Sequence, residues 1–264
     1  MLRSLLKKHK RIVVKVGSNV IASREKGLNE TRMEQIADEI SALRKKGTAI
    51  FIVSSGAILC GAKAMGLKTF PKTLPMKQAA AAVGQSYLMW AYERFFIQHQ
   101  IKVAQILLTR DDLINKSRFL NARNTLLALL ENNILPIINE NDTVATEEIK
   151  FGDNDALAGQ VTRLVDATLL IILSDVDGLY TEDPRKNKHA ERISCVEKVT
   201  KKIEGMASGS FGVGGTGGMS SKVATAKKVA KEGVATLILN GTQPGLMKRA
   251  FQGEDVGTFF LPKS

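Results

Sequence analysis

A glycine-rich stretch late in the chain is the strongest indication of phosphate chemistry. Residues 205–218 contain seven glycines and run into Met219, Ser220, Ser221 and Lys222 at the start of a predicted helix. Backbone N–H groups at a helix N-terminus attract anions, and glycines let a phosphate approach them closely. The stretch also matches the G-x-G-x-x-G spacing of dinucleotide-binding loops, but no predicted strand precedes it. Nor does Lys222 follow a glycine directly, as it would in a Walker loop.

A lysine interrupts an otherwise apolar strand near the start of the chain. Lys15 lies within the run RIVVKV at 11–16 and is followed by Gly17 and Ser18. An ammonium group held against phosphate oxygens would form charge-assisted hydrogen bonds, and the glycine would let the backbone come close. The alternative is a structural lysine whose charge pairs, or reaches water, at the strand end. The pattern of this strand alone leaves both roles open.

Polar side chains follow several other predicted strands at the point where each strand ends. They form four clusters: Ser54 and Ser55; Asn139, Glu140, Asn141 and Asp142; Asp153, Asn154 and Asp155; and Ser174, Asp175 and Asp177. These residue types also favour plain turns, so each cluster taken alone is compatible with a structural role. Because parallel strands end at one edge of a sheet, we expect the clusters to meet there. The clusters at 139–142 and 153–155 both follow the strand predicted at 134–138, and together they predict a pocket for the ammonium and carboxylate groups of an amino acid.

Alternating strand and helix patterns predict how these residues are brought together. Apolar, β-branched runs predict strands at 11–16, 48–53, 101–108, 134–138, 167–173, 234–239 and 256–261. Helical periodicity predicts helices at 31–46, 76–97, 118–131, 154–165, 196–206 and 220–233. Such alternation is typical of parallel β-α-β units, so we predict an α/β fold, a three-layer αβα sandwich with a mostly parallel central sheet. Thr31 and Glu34 are predicted to form a capping box, and residues 1–11 to be a frayed, solvated lead-in.

Composition restricts the classes of function. The chain has 264 residues, 44% of them hydrophobic, and no apolar run approaches the roughly 20 residues of a membrane-spanning helix. Its two cysteines and three histidines have neither a disulfide pattern nor a metal-ligand spacing, which favours a reducing cytoplasm. The net charge of +12 would attract nucleic acid or small anions alike. The lysines are spread along the chain and aromatic residues make up only 5%, so we expect neither a nucleic-acid partner nor a membrane.

Eight segments together resemble the amino acid kinase family, and within it the glutamate 5-kinases. They are VVKVGSN at 13–19, SSGAI at 54–58, KQAAAAVGQ at 77–85, RFLNARNTL at 118–126, INENDTVA at 138–145, FGDND at 151–155, SDVDGLYTEDPR at 174–185 and GTGGMSSK at 215–222. The lysine strand recurs across the wider family, whereas INEND, GDND and GTGGMSSK in combination are much more specific to the glutamate enzymes. The resemblance runs from Arg11 to Leu261 and implies the amino acid kinase fold.

The resemblance implies a reaction and a set of site residues. The reaction is ATP-dependent phosphorylation of the L-glutamate side-chain carboxylate, giving L-glutamyl 5-phosphate and ADP, the first step of proline biosynthesis. Lys15 and Lys222 would stabilise the transferring phosphoryl group, and Asp155 would hold the two lysines. Glutamate would be bound by Ser55, Asn139, Asp142 and Asn154. ATP would be bound by Lys15, Ser174, Asp175, Thr216, Gly217, Gly218, Met219, Ser220, Ser221 and Lys222.

The same resemblance implies Mg²⁺ on the ATP phosphates with no assigned protein ligand, proline as a feedback inhibitor, and a homo-oligomer, either a dimer or a tetramer. It implies one kinase domain in which residues 1–165 mainly bind glutamate and 166–264 mainly bind ATP. Many members carry a C-terminal PUA domain, which we do not expect in this chain. Asn19 replaces the expected Ser or Thr, which removes a hydroxyl contact. The alternatives are another amino acid or carbamate kinase, a nucleic-acid-binding module and a dehydrogenase.

Overall fold

The computed structural model describes residues 2–23, 25–145, 154–208 and 218–263. Within these residues an eight-stranded sheet forms the centre, and a two-stranded hairpin lies apart from it. The strands are β1 (Arg11–Val16), β2 (Ala22–Ser23), β3 (Gly27–Leu28), β4 (Ala49–Val53), β5 (Val103–Leu108), β6 (Leu135–Glu140), β7 (Leu169–Ser174), β8 (Cys195–Val196), β9 (Ala235–Asn240) and β10 (Thr258–Phe260). The order across the large sheet is β5-β6-β4-β1-β7-β9-β10-β8, and every neighbouring pair is parallel except β9 and β10.

Helices cover both faces of the sheet. They are α1 (Ser18–Ile21), α2 (Glu30–Arg44), α3 (Ala57–Ala64), α4 (Leu74–Ile97), α5 (Arg110–Ile114), α6 (Lys116–Glu131), α7 (Asn154–Leu164), α8 (Lys201–Ser208), α9 (Met219–Ala230) and α10 (Leu246–Gln252), with a 3₁₀ helix at Leu2–Lys8. One hydrophobic cluster joins the sheet to α2 and α4, and a second joins its other face to α7 and α9. The prediction of a three-layer αβα sandwich with a mostly parallel sheet is therefore confirmed.

Strand β1 sends alternate side chains into opposite layers, and this decides where its lysine lies. Ile12 and Val14 pack in the cluster of α2 and α4, whereas Val13 packs in the cluster of α7 and α9. Because successive side chains of a strand point to opposite faces, Lys15 shares the face of Val13. Its ammonium group is thus directed towards the layer that contains α7 and α9.

Two predicted helix positions are wrong. Helix α2 begins after Asn29, whose Oδ1 accepts a hydrogen bond from the Arg32 backbone N–H at 3.1 Å, so Asn29 rather than Thr31 caps it. The segment predicted as a helix from residue 196 starts instead with strand β8, which pairs with β10, and α8 begins only at Lys201. A short strand at the sheet edge is stabilised by that pairing rather than by its own pattern.

The N-terminal prediction is also wrong, because this segment is packed rather than solvated. Residues 2–8 form the 3₁₀ helix, which contacts α10, and Leu6 is fully buried in the core. Burial of a leucine side chain contributes roughly 1.5–3 kcal/mol, enough to hold a short segment in place. No helix among the described ranges is both long enough and apolar enough to cross a lipid bilayer.

Candidate active site

Two lysines and one aspartate form a buried ion cluster where β1 ends. Lys15 Nζ lies 2.6 Å from Asp155 Oδ1, and Lys222 Nζ lies 3.0 Å from Asp155 Oδ2. The side chains of the two lysines are 7% and 5% exposed, and that of Asp155 is fully buried. One carboxylate therefore holds two ammonium groups. The cluster keeps one positive charge that no member of it neutralises, which favours the binding of an anion.

Three different elements contribute the members of this cluster. Lys15 is the next-to-last residue of β1, Asp155 is in the first turn of α7, and Lys222 is in the first turn of α9. A carboxylate near a helix N-terminus is favoured by the helix dipole, whereas an ammonium group there is disfavoured. The position of Lys222 therefore depends on its ion pair with Asp155.

The charge state of Asp155 follows from competing effects of its surroundings. Burial alone would raise the pKa of its carboxyl group, but the charges and hydrogen bonds of Lys15 and Lys222 outweigh burial and lower the pKa below its usual value of 3.8. Asp155 is thus an anion at neutral pH. It acts as a fixed counter-ion that sets the distance between the two lysines rather than as a proton donor or acceptor.

A network of side-chain amides lies beside the ion cluster. Asn154, the neighbour of Asp155, donates from Nδ2 to Asn139 Oδ1 at 2.7 Å and to the carbonyl oxygen of Ser54. Asn139 donates in turn from Nδ2 to Gln85 Oε1 at 2.8 Å. These bonds join the ends of β4 and β6, the start of α7 and the middle of α4. They fix which amide oxygens and nitrogens face one another, and so define a polar surface next to Lys15.

Gln85 belongs to this network, although the sequence analysis did not include it among the site residues. Helices α3 and α4 approach so closely that a Cβ on Gly61 would lie 1.7 Å from the Ala80 carbonyl oxygen, and one on Gly84 1.8 Å from that of Ala57. Only glycine permits this contact. The close packing places Gln85, the residue after Gly84, against Asn139. The sequence signal was the segment KQAAAAVGQ, whose last residue is Gln85.

The end of β7 forms a second polar group on the other side of β1. Asp175 accepts hydrogen bonds from Asn19 Nδ2 at 2.8 Å and from Ser174 Oγ at 3.3 Å. The Asn19 amide thus makes a polar contact at the position where the family pattern has a hydroxyl. Asp177, two residues further on, accepts from Asn240 Nδ2 at 2.8 Å and from Gln243 Nε2 at 3.0 Å.

A cavity of about 400 Å³ lies beyond this turn. It is lined by Thr181, Glu182, Asp183, Lys186, Asn187, Gly205 and Met206. Hydrogen bonds from Arg185 lower the pKa of Asp183 to about 2, so its carboxylate is ionised at neutral pH. Gly205 and Met206 are in α8, which packs against α9, the helix that contains Lys222.

Seven of the predicted site residues fall into three groups. Lys15, Asp155 and Lys222 are in direct contact, Asn139 and Asn154 are hydrogen-bonded to each other, and Ser174 and Asp175 lie together at the end of β7. Ser55, which follows Ser54, and Asp142, three residues after Asn139, are partly exposed, whereas Gly218 is the N-cap of α9 and Met219, Ser220 and Ser221 are in its first turn. Ser220 Oγ donates to the Ala207 carbonyl oxygen at 3.1 Å. Thr216 and Gly217 lie outside the described residues, as do 151–153 of the FGDND segment.

Known proteins share both the sequence and the fold. The protein is 53% identical over 262 residues to the glutamate 5-kinase of Geobacter metallireducens and 48% identical over 263 residues to that of Carboxydothermus hydrogenoformans. Each match covers 99% of this chain and 70% of the relative. Among solved structures, carbamate kinase from Giardia lamblia bound to AMP-PNP has a TM-score of 0.67 at 18% identity, covering 97% of this chain and 99% of the other.

UMP kinase from Bacillus anthracis has the same fold, with a TM-score of 0.66 at 17% identity and a coverage of 97% of both chains. At this level of identity the two solved structures bear on the fold alone. The family model of the amino acid kinase family matches residues 10–240, a range that contains the ion cluster, the amide network and the turn after β7. The chain belongs to the amino acid kinase family.

Proposed function

We propose that the protein transfers the γ-phosphoryl group of ATP to the side-chain carboxylate of L-glutamate, giving L-glutamyl 5-phosphate and ADP. The observation that carries this proposal is the contact of Lys15 and Lys222 with a single buried carboxylate beside a pocket of amides. The relatives of about 50% identity that bear the name glutamate 5-kinase support the same substrate. The product is the acyl phosphate with which proline biosynthesis begins.

The transfer needs alignment and charge neutralisation rather than acid–base catalysis. A free glutamate carboxyl has a pKa of about 4.3, so at neutral pH it attacks as the anion and no proton has to move. One carboxylate oxygen forms a bond to the γ-phosphorus, the bond to the β–γ bridging oxygen breaks, and its electron pair leaves on ADP. Charge is spread over the phosphoryl oxygens during this step, which fixed cations stabilise.

In this proposal the ion cluster does the work of neutralisation. Lys15 and Lys222 bind the transferring phosphoryl group from two sides. Asp155 sets the distance between the two ammonium groups and orients them towards the phosphoryl group. The cluster has a single net positive charge, which attracts the anionic phosphoryl group. The buried carboxylate lies between the two lysines and holds their ammonium groups in fixed positions. Such preorganised charge is effective because nothing has to reorient as the reaction proceeds.

The two substrates would approach the cluster from opposite sides. Glutamate would bind at the amide network, where Ser55, Asn139 and Asn154 offer hydrogen bonds to its carboxylates and Asp142 offers an anion to its ammonium group. ATP would bind at the end of β7 and the start of α9, through Ser174, Asp175 and the loop and first turn at 216–222. The cavity of about 400 Å³ would receive the nucleoside end. Residues 1–165 and 166–264 would then serve mainly glutamate and mainly ATP, respectively.

We propose the magnesium complex of ATP as the true nucleotide substrate. Among the described residues, no group of three or more His, Cys, Asp or Glu side chains has an arrangement that could hold a metal ion. Mg²⁺ prefers phosphate oxygens and water, with few protein ligands, so it can enter with the nucleotide. Asp155 is taken by the two lysines and is not assigned as a ligand.

Three further features complete the proposal. Proline would act as a feedback inhibitor at the glutamate pocket, because it shares an α-carboxylate and an α-amine with the substrate. The protein would work in the cytoplasm, where glutamate and ATP are available and its two cysteines stay reduced. It would form a homo-oligomer, either a dimer or a tetramer. The apolar stripe of α4, formed by Val83, Tyr87, Trp90 and Ile97 with 37–63% exposure, supports such an interface.

An acceptor screen tests the proposed reaction. ADP release is measured with ATP, Mg²⁺ and, separately, glutamate, aspartate, N-acetylglutamate and bicarbonate with ammonia, while hydroxylamine converts any acyl phosphate to a hydroxamate. We expect ADP and hydroxamate to rise together with glutamate alone, because aspartate is one methylene shorter and N-acetylglutamate has no ammonium group for Asp142. Hydroxamate from another acceptor only would contradict the glutamate assignment and leave the phosphoryl-transfer cluster in place.

A further inference from the structure

A second buried ion pair lies outside the proposed catalytic cluster. Arg32 Nη1 and Glu39 Oε1, both on α2, are 3.4 Å apart, and their side chains are only 5% and 8% exposed. Withdrawing two charges from water is costly, and their attraction offsets the cost only when further hydrogen bonds satisfy the remaining polar atoms. The partners of these two side chains therefore indicate what the pair does.

Apart from Gln35 on α2 itself, whose Oε1 accepts from Arg32 Nη1 at 3.2 Å, those partners lie in the turn between β9 and α10 or in the first turn of α10. Arg32 Nε donates to the Gly241 carbonyl oxygen. Glu39 Oε1 accepts from the Gly245 backbone N–H at 3.0 Å, and its Oε2 accepts from that of Met247, also at 3.0 Å. Gly245 is the N-cap residue of α10, has a left-handed φ of 79° and provides no side-chain capping bond. The pair on α2 thus fixes both ends of the turn 241–245, which is more than 200 positions away along the sequence.

The same turn is bonded on its other side to the end of β7. The Gly241 N–H donates to the Ser174 carbonyl oxygen at 2.6 Å, and Asn240 Nδ2 donates to Asp177 Oδ1 at 2.8 Å. Gly241 fits so tightly that a Cβ there would lie 2.8 Å from Leu173 Cβ. Since β7 and β9 are parallel neighbours, their ends lie side by side at the edge where the proposed substrates meet.

We infer that Arg32, Glu39 and Asn240 are positioning residues for the nucleotide, because together they hold the turn at Ser174–Asp177 in place from α2. The inference rests on the proposed placement of ATP at Ser174 and Asp175. None of these three residues is among those to which the proposal assigns glutamate or ATP. Asn139 and Asn154, which the proposal assigns to glutamate, and Gln85, which is bonded to Asn139, share no described hydrogen bond with them. Loss of the pair therefore weakens the binding of ATP and leaves the binding of glutamate unchanged.

Glu39→Gln tests the inference with an isosteric change, since the amide keeps one acceptor oxygen but loses the charge and the second acceptor. The matched control is Asp38→Asn, the same chemical change one residue earlier on α2, where the carboxylate is 58% exposed and pairs with His99. We expect the KM for ATP and the Kd for its non-hydrolysable analogue AMP-PNP, measured with Mg²⁺ by calorimetry, to rise roughly tenfold in Glu39→Gln, the scale of a broken hydrogen-bond network. Asp38→Asn should leave both constants at their wild-type values.

Asn240→Ala breaks the same chain of contacts at its far end and serves if Glu39→Gln does not fold. Because both substitutions act through one turn, the double variant should have about the same Kd for AMP-PNP as the single variant with the higher Kd. A lower melting temperature with an unchanged AMP-PNP Kd would reduce the pair to a purely structural role. An equal rise in the KM for glutamate would also overturn the inference. The AMP-PNP measurement does not depend on turnover, so a wild-type protein that fails to phosphorylate glutamate would refute the proposed reaction and leave this test valid.

Discussion

Lys222→Met removes one charge from the ion cluster and keeps most of the volume of the side chain. Lys222 is buried, and its Nζ lies 3.0 Å from Asp155 Oδ2, so the substitution takes the net charge of the cluster from +1 to zero. Asp155 keeps its ion pair with Lys15 at 2.6 Å and is not left as an uncompensated anion. The variant should therefore fold, with a loss of about 1–3 kcal/mol in the free energy of unfolding for the missing charged hydrogen bond.

The effect on turnover should be much larger than the effect on folding. A preorganised donor to charge that develops in a transition state contributes about 3–4 kcal/mol, so kcat should fall by about 10²–10³. The assay is hydroxamate formation at saturating glutamate and ATP, with chemical denaturation of the same preparation to measure stability. Under these conditions a decrease in kcat reports the chemical step rather than weaker ground-state binding.

Lys227→Met is the matched control on the same helix. Lys227 also pairs with a carboxylate, Glu204 at 2.6 Å, but both side chains are 41% exposed. A surface pair of this kind contributes about 0–1 kcal/mol, so this variant should keep its turnover. Near-normal kcat in Lys222→Met would refute the phosphoryl-clamp role of Lys222. An equal loss in both variants would show that the decrease reflects a disturbed α9 rather than a missing charge.

Three further predictions concern packing, pH and thiol chemistry. In Gly84→Ala the new Cβ would lie 1.8 Å from the Ala57 carbonyl oxygen and should push α3 away from α4, which costs roughly 1–3 kcal/mol in the free energy of unfolding and raises the KM for glutamate by displacing Gln85. Denaturation and initial rates measure the two effects, and an unchanged stability would contradict the close contact. The folded-state pKa of Asp155 lies below 3.8, so the stability that the Asp155 carboxylate contributes is complete above pH 3.8 and is lost as the pH falls through the folded-state pKa. Acid unfolding of the wild type should show this loss, and an acid-unfolding curve for Asp155→Asn that matches the wild-type curve would contradict the prediction. Burial raises the pKa of the Cys60 thiol to about 12, so iodoacetamide at mildly alkaline pH should modify the partly exposed Cys195 first. Peptide mass spectrometry measures the order of alkylation, and Cys60 alkylated first in the native protein would contradict its burial.

The sequence predicts the ion cluster because its members carry local signals. Lys15 is out of place in an apolar strand, and Lys222 follows a run of glycines at a helix start, so residue type and neighbours identify both positions. The alternation of strands and helices then predicts that their ends meet at one edge of a parallel sheet. Residue patterns alone do not give the pairing of both lysines with Asp155, which only the family resemblance implied, because it depends on how α7 and α9 pack on the same face of β1.

Residues whose role arises only from packing were missed for a physical reason. Gln85 lies in the middle of a helix, and only the close approach of Gly61 and Gly84 brings it to Asn139. The Arg32–Glu39 pair has the spacing of ordinary surface charges along α2, and its burial depends on α10, a helix that the sequence analysis did not predict. Local patterns report neither contact, because each joins elements that are distant along the chain.

The measurement that tests the central claim most directly follows an oxygen atom. Glutamate labelled with ¹⁸O in both oxygens of its side-chain carboxylate is incubated with the protein, ATP, Mg²⁺ and hydroxylamine, and the phosphate released is examined by ³¹P NMR. If the carboxylate attacks the γ-phosphorus, hydroxylamine then displaces phosphate at the acyl carbon, and each phosphate released should carry one ¹⁸O atom. Unlabelled phosphate would show that water had attacked ATP and would contradict the assignment of glutamate as the phosphoryl acceptor.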